Sequence, residues 1–175
     1  MQVHDKNFVR FIHRDKIEEE LDWMGRKISM EYKDKNPIFL AVLNGAFIFA
    51  ADLYRKVTCD SSISFIKLAS YEGTQSSGKI REVIGLTEDI KGRHVVILED
   101  IVDTGRSMRH LIDTLKEQEP ASIKIATLLV KPDALEEPVE IAYRAFDIPN
   151  LFVIGYGLDY NGLGRQLPDI YQLSN

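Results

Sequence analysis

The sequence predicts an α/β fold with a mostly parallel β-sheet covered by helices. Three observations carry that reading. IFLAVL (38–43) is apolar at every position and HVVIL (94–98) at every position after His94, so both faces of these strand-length runs must be buried. Segments with apolar residues at helical spacing separate them. Residues able to do chemistry cluster just after the strands, where open α/β sheets hold their ligands.

The elements follow in order. Ile17, Leu21, Met24 and Ile28 recur at helical spacing, with Glu18, Glu19, Glu20, Arg26 and Lys27 largely on the other sides. Asp15 followed by Glu18 is expected to cap this first helix, and the acidic run reads as a solvated face. IFLAVL is the first buried strand. It stops at Asn44-Gly45, and AFIFAADLYRKV (46–57) reads as a helix. SISFIKLAS (62–70) is the next strand. The segment YEGTQSSGKIR (71–81) is polar and rich in Gly and Ser, and suits a lid as well as a plain surface loop. HVVIL then runs into EDIVDTGRS (99–107), after which Met108, Leu111, Ile112 and Leu115 mark another helix. IKIATLLV (123–130) and LFVIGYG (151–157) complete the alternation as two further apolar strands.

The 175 residues fit one domain, which buries about 70% of its unfolded surface and needs no disulfide or metal staple. With 22 basic and 27 acidic residues the net charge is −5, which weighs against a nucleic-acid or anionic-membrane partner. Cys59 is the single cysteine, which excludes an internal disulfide and a Cys-cluster zinc site and suits a reducing compartment. It has no evident His partner and reads as a packing residue. His4, His13, His94 and His110 lack metal-ligand spacing. The N-terminal MQVHDKNFVRFIHRDK has no apolar core of signal-peptide length, and the most apolar stretch, Ile38–Ala51, is too short to span a bilayer. A soluble cytoplasmic protein with no membrane partner is the expectation.

The chemistry concentrates at Glu99–Ser107. A strand feeds into Glu99-Asp100, and Asp103-Thr104-Gly105-Arg106-Ser107 leads into a helix. Backbone N–H groups at a helix start favour an anion, glycine permits close approach, and the hydroxyls of Thr104 and Ser107 add donors. This is a cup for one phosphate group. No G-x-x-x-x-G-K-[ST] or G-x-G-x-x-G occurs in the chain, so it is neither the nucleotide P-loop nor the dinucleotide fingerprint. Two adjacent carboxylates beside such a cup suit sugar hydroxyls or a bound Mg²⁺. Helix capping by Asp103 or Thr104, with Glu99 and Asp100 as surface acids, is the plainer alternative.

The whole string VVILEDIVDTGRSM resembles the phosphoribosyl-diphosphate signature of the type I phosphoribosyltransferases. VLNGAFIFAADL is similar to that family's early diphosphate loop, SYEGTQSSGKI to its lid, and LLVKP with LFVIGYGLDYNGLGRQLPDIY to the purine-binding half of its hypoxanthine-guanine branch. The resemblance implies one domain over residues 1–175: a twisted, mostly parallel sheet flanked by helices, a small hood from the N-terminal segment and C-terminal region, and a flexible lid over about 70–82. It implies transfer of a phosphoribosyl group from phosphoribosyl diphosphate to hypoxanthine or guanine, with Mg²⁺ as cofactor and a homodimer or homotetramer as assembly.

Residue by residue, the resemblance assigns Glu99 and Asp100 to the ribose hydroxyls and metal. Asp103, Thr104, Gly105, Arg106 and Ser107 surround the 5′-phosphate, and Asp103 is also the general base near N7 of the purine. Lys131 donates to the oxygen on C6, Phe152 stacks on the base, and backbone carbonyls of Val153 and Asp159 accept from the 2-amino group of guanine. The Asp159 side chain helps to hold a second Mg²⁺. Asn44, Gly45, Ser70, Tyr71 and Arg165 contact pyrophosphate. Asn44 and Ala69 stand where relatives often carry a basic residue, which implies weaker affinity for the diphosphate. A xanthine-preferring sibling is the alternative enzyme. A phosphoribosyltransferase-fold regulator that binds nucleic acid is the alternative class, against which the net charge of −5 and the lack of spare length stand.

Overall fold

The apolar runs form the middle of one sheet in a computed structural model, which describes residues 1–70 and 80–174. IFLAVL is β3 (Ile38–Leu43), SISFIKLAS is β4 (Ser62–Ser70), HVVIL opens β6 (His94–Val102), and IKIATLLV lies in β7 (Ser122–Val130). With β5 (Ile80–Ile84) and β8 (Ile141–Asp147) they make a six-stranded sheet among the described residues, in the order β5-β4-β3-β6-β7-β8. All its pairings are parallel except β4 with β5.

Alternation along the strands sorts the core into two layers. Ile38, Leu40, Val95, Ile97 and Ile125 face Met108, Leu111 and Leu115 of α3 (Arg106–Lys116). Phe39, Ala41, Val96, Leu98, Ala126 and Leu128 face α1 (Arg14–Glu31) and α2 (Phe47–Tyr54). Ile17, Leu21, Met24 and Ile28 are the buried stripe of α1 that the periodicity predicts. Among the described residues no helix is long and apolar enough to cross a membrane.

Three expectations are corrected. LFVIGYG does not continue the parallel sheet. Only β9 (Val153–Ile154) is extended, and it pairs with β10 (Ile170–Leu173) in a second, antiparallel sheet. That sheet has the order β1-β2-β10-β9, with β1 (Gln2–Val3) and β2 (Lys6–Ile12) from the N-terminal segment. The strand beside β7 is instead β8, reached through a 3₁₀ turn at Pro132–Ala134 without a crossover helix. Finally, α1 is not capped by Asp15 with Glu18: His13 is the cap residue, and its Nδ1 accepts from the Asp15 N–H at 3.2 Å.

The Arg14 N–H, also at the start of α1, donates to Asp169 Oδ1 at 2.8 Å. Arg10 Nε lies 2.8 Å from Asp169 Oδ2, and the Tyr171 hydroxyl donates to the same oxygen at 3.3 Å. One buried carboxylate therefore ties the N-terminal segment to the C-terminal strand. Burial acts to raise the Asp169 carboxyl, but the Arg14 N–H and the Arg10 guanidinium outweigh it and hold the group below the usual range. With a lowered folded-state value, this contribution is present above about pH 4 and is lost as pH falls below it. Asp169→Ala is expected to cost about 1–3 kcal/mol at neutral pH by leaving the helix N–H unpaired. Thermal unfolding should show the loss at pH 7, with the difference between the two proteins shrinking as pH falls through the lowered folded-state value.

Candidate active site

Glu99 and Asp100 occupy the carboxyl end of β6, where the strand leaves the covered part of the sheet. Both are buried, and among the described residues neither has an ion-pair partner. The Asp100 N–H approaches Glu99 Oε1 at 3.3 Å, and the Ile101 N–H donates to Asp100 Oδ1 at 2.9 Å. Burial, and then the neighbouring Asp100 carboxylate, push Glu99 well above the usual carboxylate range. Burial also raises Asp100, against hydrogen bonds and the positive charge of Arg165 that act to lower it.

The backbone is shaped around this pair. A Cβ placed on Gly45 would lie 1.8 Å from Asp100 Oδ2, and one on Gly157 would lie 2.1 Å from the Gly45 carbonyl oxygen. Asp100, the Asn44-Gly45 turn and the Gly157 turn are thus stacked with no room for a side chain between them.

Glu99–Gly105 and Ser107 line a cleft of about 260 Å³, with Val42, Leu68 and Met108 as its apolar part. Gly105 is the cap residue of α3, at φ 80°, so the chain reaches the helix start through a conformation that favours glycine. Its Cα also abuts the next loop: a Cβ there would meet the Glu137 carbonyl oxygen at 2.6 Å. The N–H groups of Glu136 and Glu137 donate to the Thr104 carbonyl at 3.0 and 3.1 Å. The Arg106 N–H reaches Thr104 Oγ1 at 3.5 Å, and Gly105, Ser107 and Met108 line the cleft, so the start of α3 borders it, a position suited to an anion. The exposed Arg106 guanidinium pairs with Glu136 and is not among the groups that line the cleft.

Lys131 and Asp103 meet directly, with Nζ donating to Oδ2 at 2.7 Å. The lysine side chain is 10% exposed and the carboxylate 47%, so the cation is held inside and the acid faces outward. Phe152 is 43% exposed, its ring 5.6 Å from Tyr160 and 6.1 Å from Phe8. This aromatic wall joins the N-terminal strand β2 to the C-terminal tail, and neither Phe8 nor Tyr160 carries a local sequence signal. Val153 is buried in β9. Asp159 is engaged on both oxygens: Arg165 Nη2 lies 2.6 Å from Oδ1, and the Gly162 N–H donates to Oδ2 at 2.6 Å. Arg165 Nη1 donates to the Gly157 carbonyl at 2.6 Å.

The structure therefore brings together Glu99, Asp100, Asp103, Thr104, Gly105 and Ser107, with Lys131 on Asp103 and Gly45 against Asp100. Asp159 stands apart with Arg165, and among the described residues no three carboxylates, histidines or cysteines converge on one metal position. Ser70 ends β4, its Cα opposite Ile80. Tyr71 and most of the segment read as a lid lie outside the described residues.

Residues 12–161 match the family model for the phosphoribosyl transferase domain. The chain is 44% identical over 160 residues to the hypoxanthine-guanine phosphoribosyltransferase of Streptococcus pneumoniae, covering 91% of this chain and 89% of that one. It is 40% identical over 162 residues to the enzyme of the same name from Dictyostelium discoideum, covering 90% of each. Among solved structures it is similar to a hypoxanthine phosphoribosyltransferase from Staphylococcus aureus, at a TM-score of 0.90 and 32% identity over 95% of this chain and 91% of that one. It is also similar to the Trypanosoma cruzi hypoxanthine phosphoribosyltransferase in complex with the product IMP, at a TM-score of 0.89 and 34% identity over 99% and 97%.

The unpaired acids at 99 and 100 give a stability signature. A glutamate raised in the folded state destabilises the fold once pH exceeds the ordinary glutamate value of about 4.5, and the penalty grows until the folded-state value is reached. In chelator at pH 7, Glu99→Gln is expected to melt a few degrees above the parent chain. The advantage should shrink toward pH 4.5. A lower melting temperature at pH 7 would contradict the assignment of an unpaired buried charge.

Proposed function

The chain belongs to the phosphoribosyl transferase family, and from that membership we propose its reaction and the task of each residue in the cleft. It is a purine-salvage enzyme that moves the 5-phosphoribosyl group from phosphoribosyl diphosphate to N9 of hypoxanthine or guanine, giving IMP or GMP and pyrophosphate. One observation carries the assignment of roles: an anion cup at the start of α3 opens beside a Lys131–Asp103 pair and two buried unpaired carboxylates. The hypoxanthine-guanine relatives and the IMP complex of a structural neighbour support the choice of base and product.

The helix start and the hydroxyls of Thr104 and Ser107 hold the 5′-phosphate. Glu99 and Asp100 take the ribose hydroxyls. Two buried carboxylates with no ion-pair partner also fit a divalent cation, and Mg²⁺ bound there supplies positive charge beside the departing pyrophosphate. Asp159, whose oxygens already meet Arg165 and the Gly162 N–H, is the expected holder of a second ion through its remaining lone pairs. Bond breaking at C1 builds positive charge on the sugar, so the acids stabilise the transition state electrostatically.

Lys131 sets the base. An ammonium has three N–H donors, so it keeps its bond to Asp103 while donating to the oxygen on C6. Adenine offers an amino group at that position, so donor faces donor and that N–H of the lysine goes unsatisfied. Asp103, fixed by Lys131 and facing outward, accepts the proton that builds up at N7. Phe152 lies on the ring, backed by Phe8 and Tyr160. The carbonyls of Val153 and Asp159 accept from the 2-amino group of guanine, and they repel the oxygen that xanthine carries there.

Arg165 and the Asn44-Gly45 backbone take the pyrophosphate, and Ser70 with Tyr71 closes over it. Asn44 and Ala69 leave part of its charge uncompensated, which raises the Michaelis constant for the diphosphate. Arg106, its guanidinium paired with Glu136, contributes to the 5′-phosphate site through its backbone at the start of α3. A cytoplasmic homodimer or homotetramer completes the proposal.

An assay of hypoxanthine, guanine, xanthine and adenine with Mg²⁺ tests the base assignment. Hypoxanthine and guanine should be used and the other two poorly; xanthine preference or adenine use would overturn it. Asp103→Asn is expected to lower kcat by about 10² or more while changing the diphosphate KM little. Lys131→Ala should raise the purine KM roughly tenfold or more, since the lost bond is charge-assisted.

A further inference from the structure

We propose that Tyr156, through its hydrogen bond to Asp52, is a positioning residue that fixes the distance between the Asn44-Gly45 turn and Arg165. The inference rests on the reading that both of these contact the pyrophosphate.

Tyr156 sits in the left-handed region at φ 49°, between Gly155 at φ 99° and Gly157 at φ 105°. A tyrosine is disfavoured there relative to glycine, so its side chain must supply what glycine lacks. That side chain is buried, and its hydroxyl donates to Asp52 Oδ2 at 2.6 Å across 104 residues of sequence. Asp52 lies on α2, the helix that begins directly after the Asn44-Gly45 turn.

The backbone of the same turn holds Arg165. The Gly157 N–H donates to the Arg165 carbonyl at 3.0 Å, and the Arg165 guanidinium returns a bond to the Gly157 carbonyl at 2.6 Å. On its other side Gly157 packs against Gly45, since an added Cβ would fall 2.1 Å from the Gly45 carbonyl oxygen. Arg165, Gly157 and Gly45 thus form a continuous contact. The phenol–carboxylate bond is the side-chain clamp that presses this turn onto α2. Contacts alone leave the turn free to slide; a short bond to a charged acceptor gives it one position. Among the described residues the second Asp52 oxygen pairs with Arg55 at 3.0 Å, whose side chain is exposed, so that pair has little leverage on the turn.

The test is a double-mutant cycle on the full chain with Tyr156→Phe, Asp52→Ala and their combination, and Asp52→Asn as the conservative variant. Steady-state kinetics give KM for phosphoribosyl diphosphate and for hypoxanthine separately. Calorimetry gives the affinity for inorganic pyrophosphate with Mg²⁺. Each single change is expected to raise the diphosphate KM and weaken pyrophosphate about tenfold, the effect of losing one charge-assisted hydrogen bond. The hypoxanthine KM should stay within about twofold, the double variant should be no worse than either single one, and Asp52→Asn, which keeps an acceptor for the phenol, should recover most of the loss. A lowered melting temperature with unchanged diphosphate KM and pyrophosphate affinity would overturn the proposal, as would equal increases in both KM values or additive effects in the cycle. If the parent chain turns over none of the four bases, the proposed reaction falls. The pyrophosphate arm then still decides whether this bond governs the anion site.

Discussion

Two carboxylates buried side by side at the end of a central strand are expensive to leave without a cation, and the rest of the site is arranged around Glu99 and Asp100. Their position follows from the sheet. They follow the apolar run Val95–Leu98 toward the carboxyl end of β6 and stay buried there. The Asn44-Gly45 turn comes so close to Asp100 that no side chain fits at position 45, and the Gly157 turn comes as close to Gly45. Arg165, tied to that second turn, is the cation whose field reaches Asp100. What the fold supplies to the two acids is close backbone and one distant guanidinium, which leaves charge to be neutralised by whatever enters.

The same constraint explains how a chain with a net charge of −5 handles a strongly anionic substrate. It does so without a broad basic surface. Positive potential is local: the N-terminus of α3, the hydroxyls of Thr104 and Ser107, Arg165, and the buried ammonium of Lys131. Each is placed by backbone geometry, through Gly105 at the helix start, Gly157 at the tail and the end of β7 at Lys131. On the proposed roles, selectivity for the base comes from donor and acceptor placement more than from net charge.

Much of this was legible in the sequence because it is local. β3 announces itself as a fully apolar run and β6 and β7 through the apolar stretches Val95–Leu98 and Leu128–Val130, and the Glu99–Ser107 string carries strand, acids, turn and helix start in one segment. What stayed hidden is what long-range pairing decides. β8 follows a crossover with no helical pattern, so nothing marked it as a strand of the parallel sheet. LFVIGYG looks like a strand from its hydropathy, but three consecutive residues with positive φ cut it to two residues and send it into the other sheet. The cap of α1 is shared between His13 and an aspartate 155 residues away from Arg14. Lys131 and Asp103 were each visible as candidates, yet their contact depends on the register of β6 and β7.

On the proposed roles, the Glu99–Asp100 pair is completed by a divalent cation that accompanies the diphosphate. Calorimetric titration of the protein with phosphoribosyl diphosphate, once with Mg²⁺ and once with chelator, tests it most directly. Strong binding with Mg²⁺ that falls by about 10² or more in chelator is the result this account predicts, with Glu99→Gln and Asp100→Asn each reducing the difference. Equal affinity under both conditions would contradict it, and the two acids would then have to be stabilised by the protein alone.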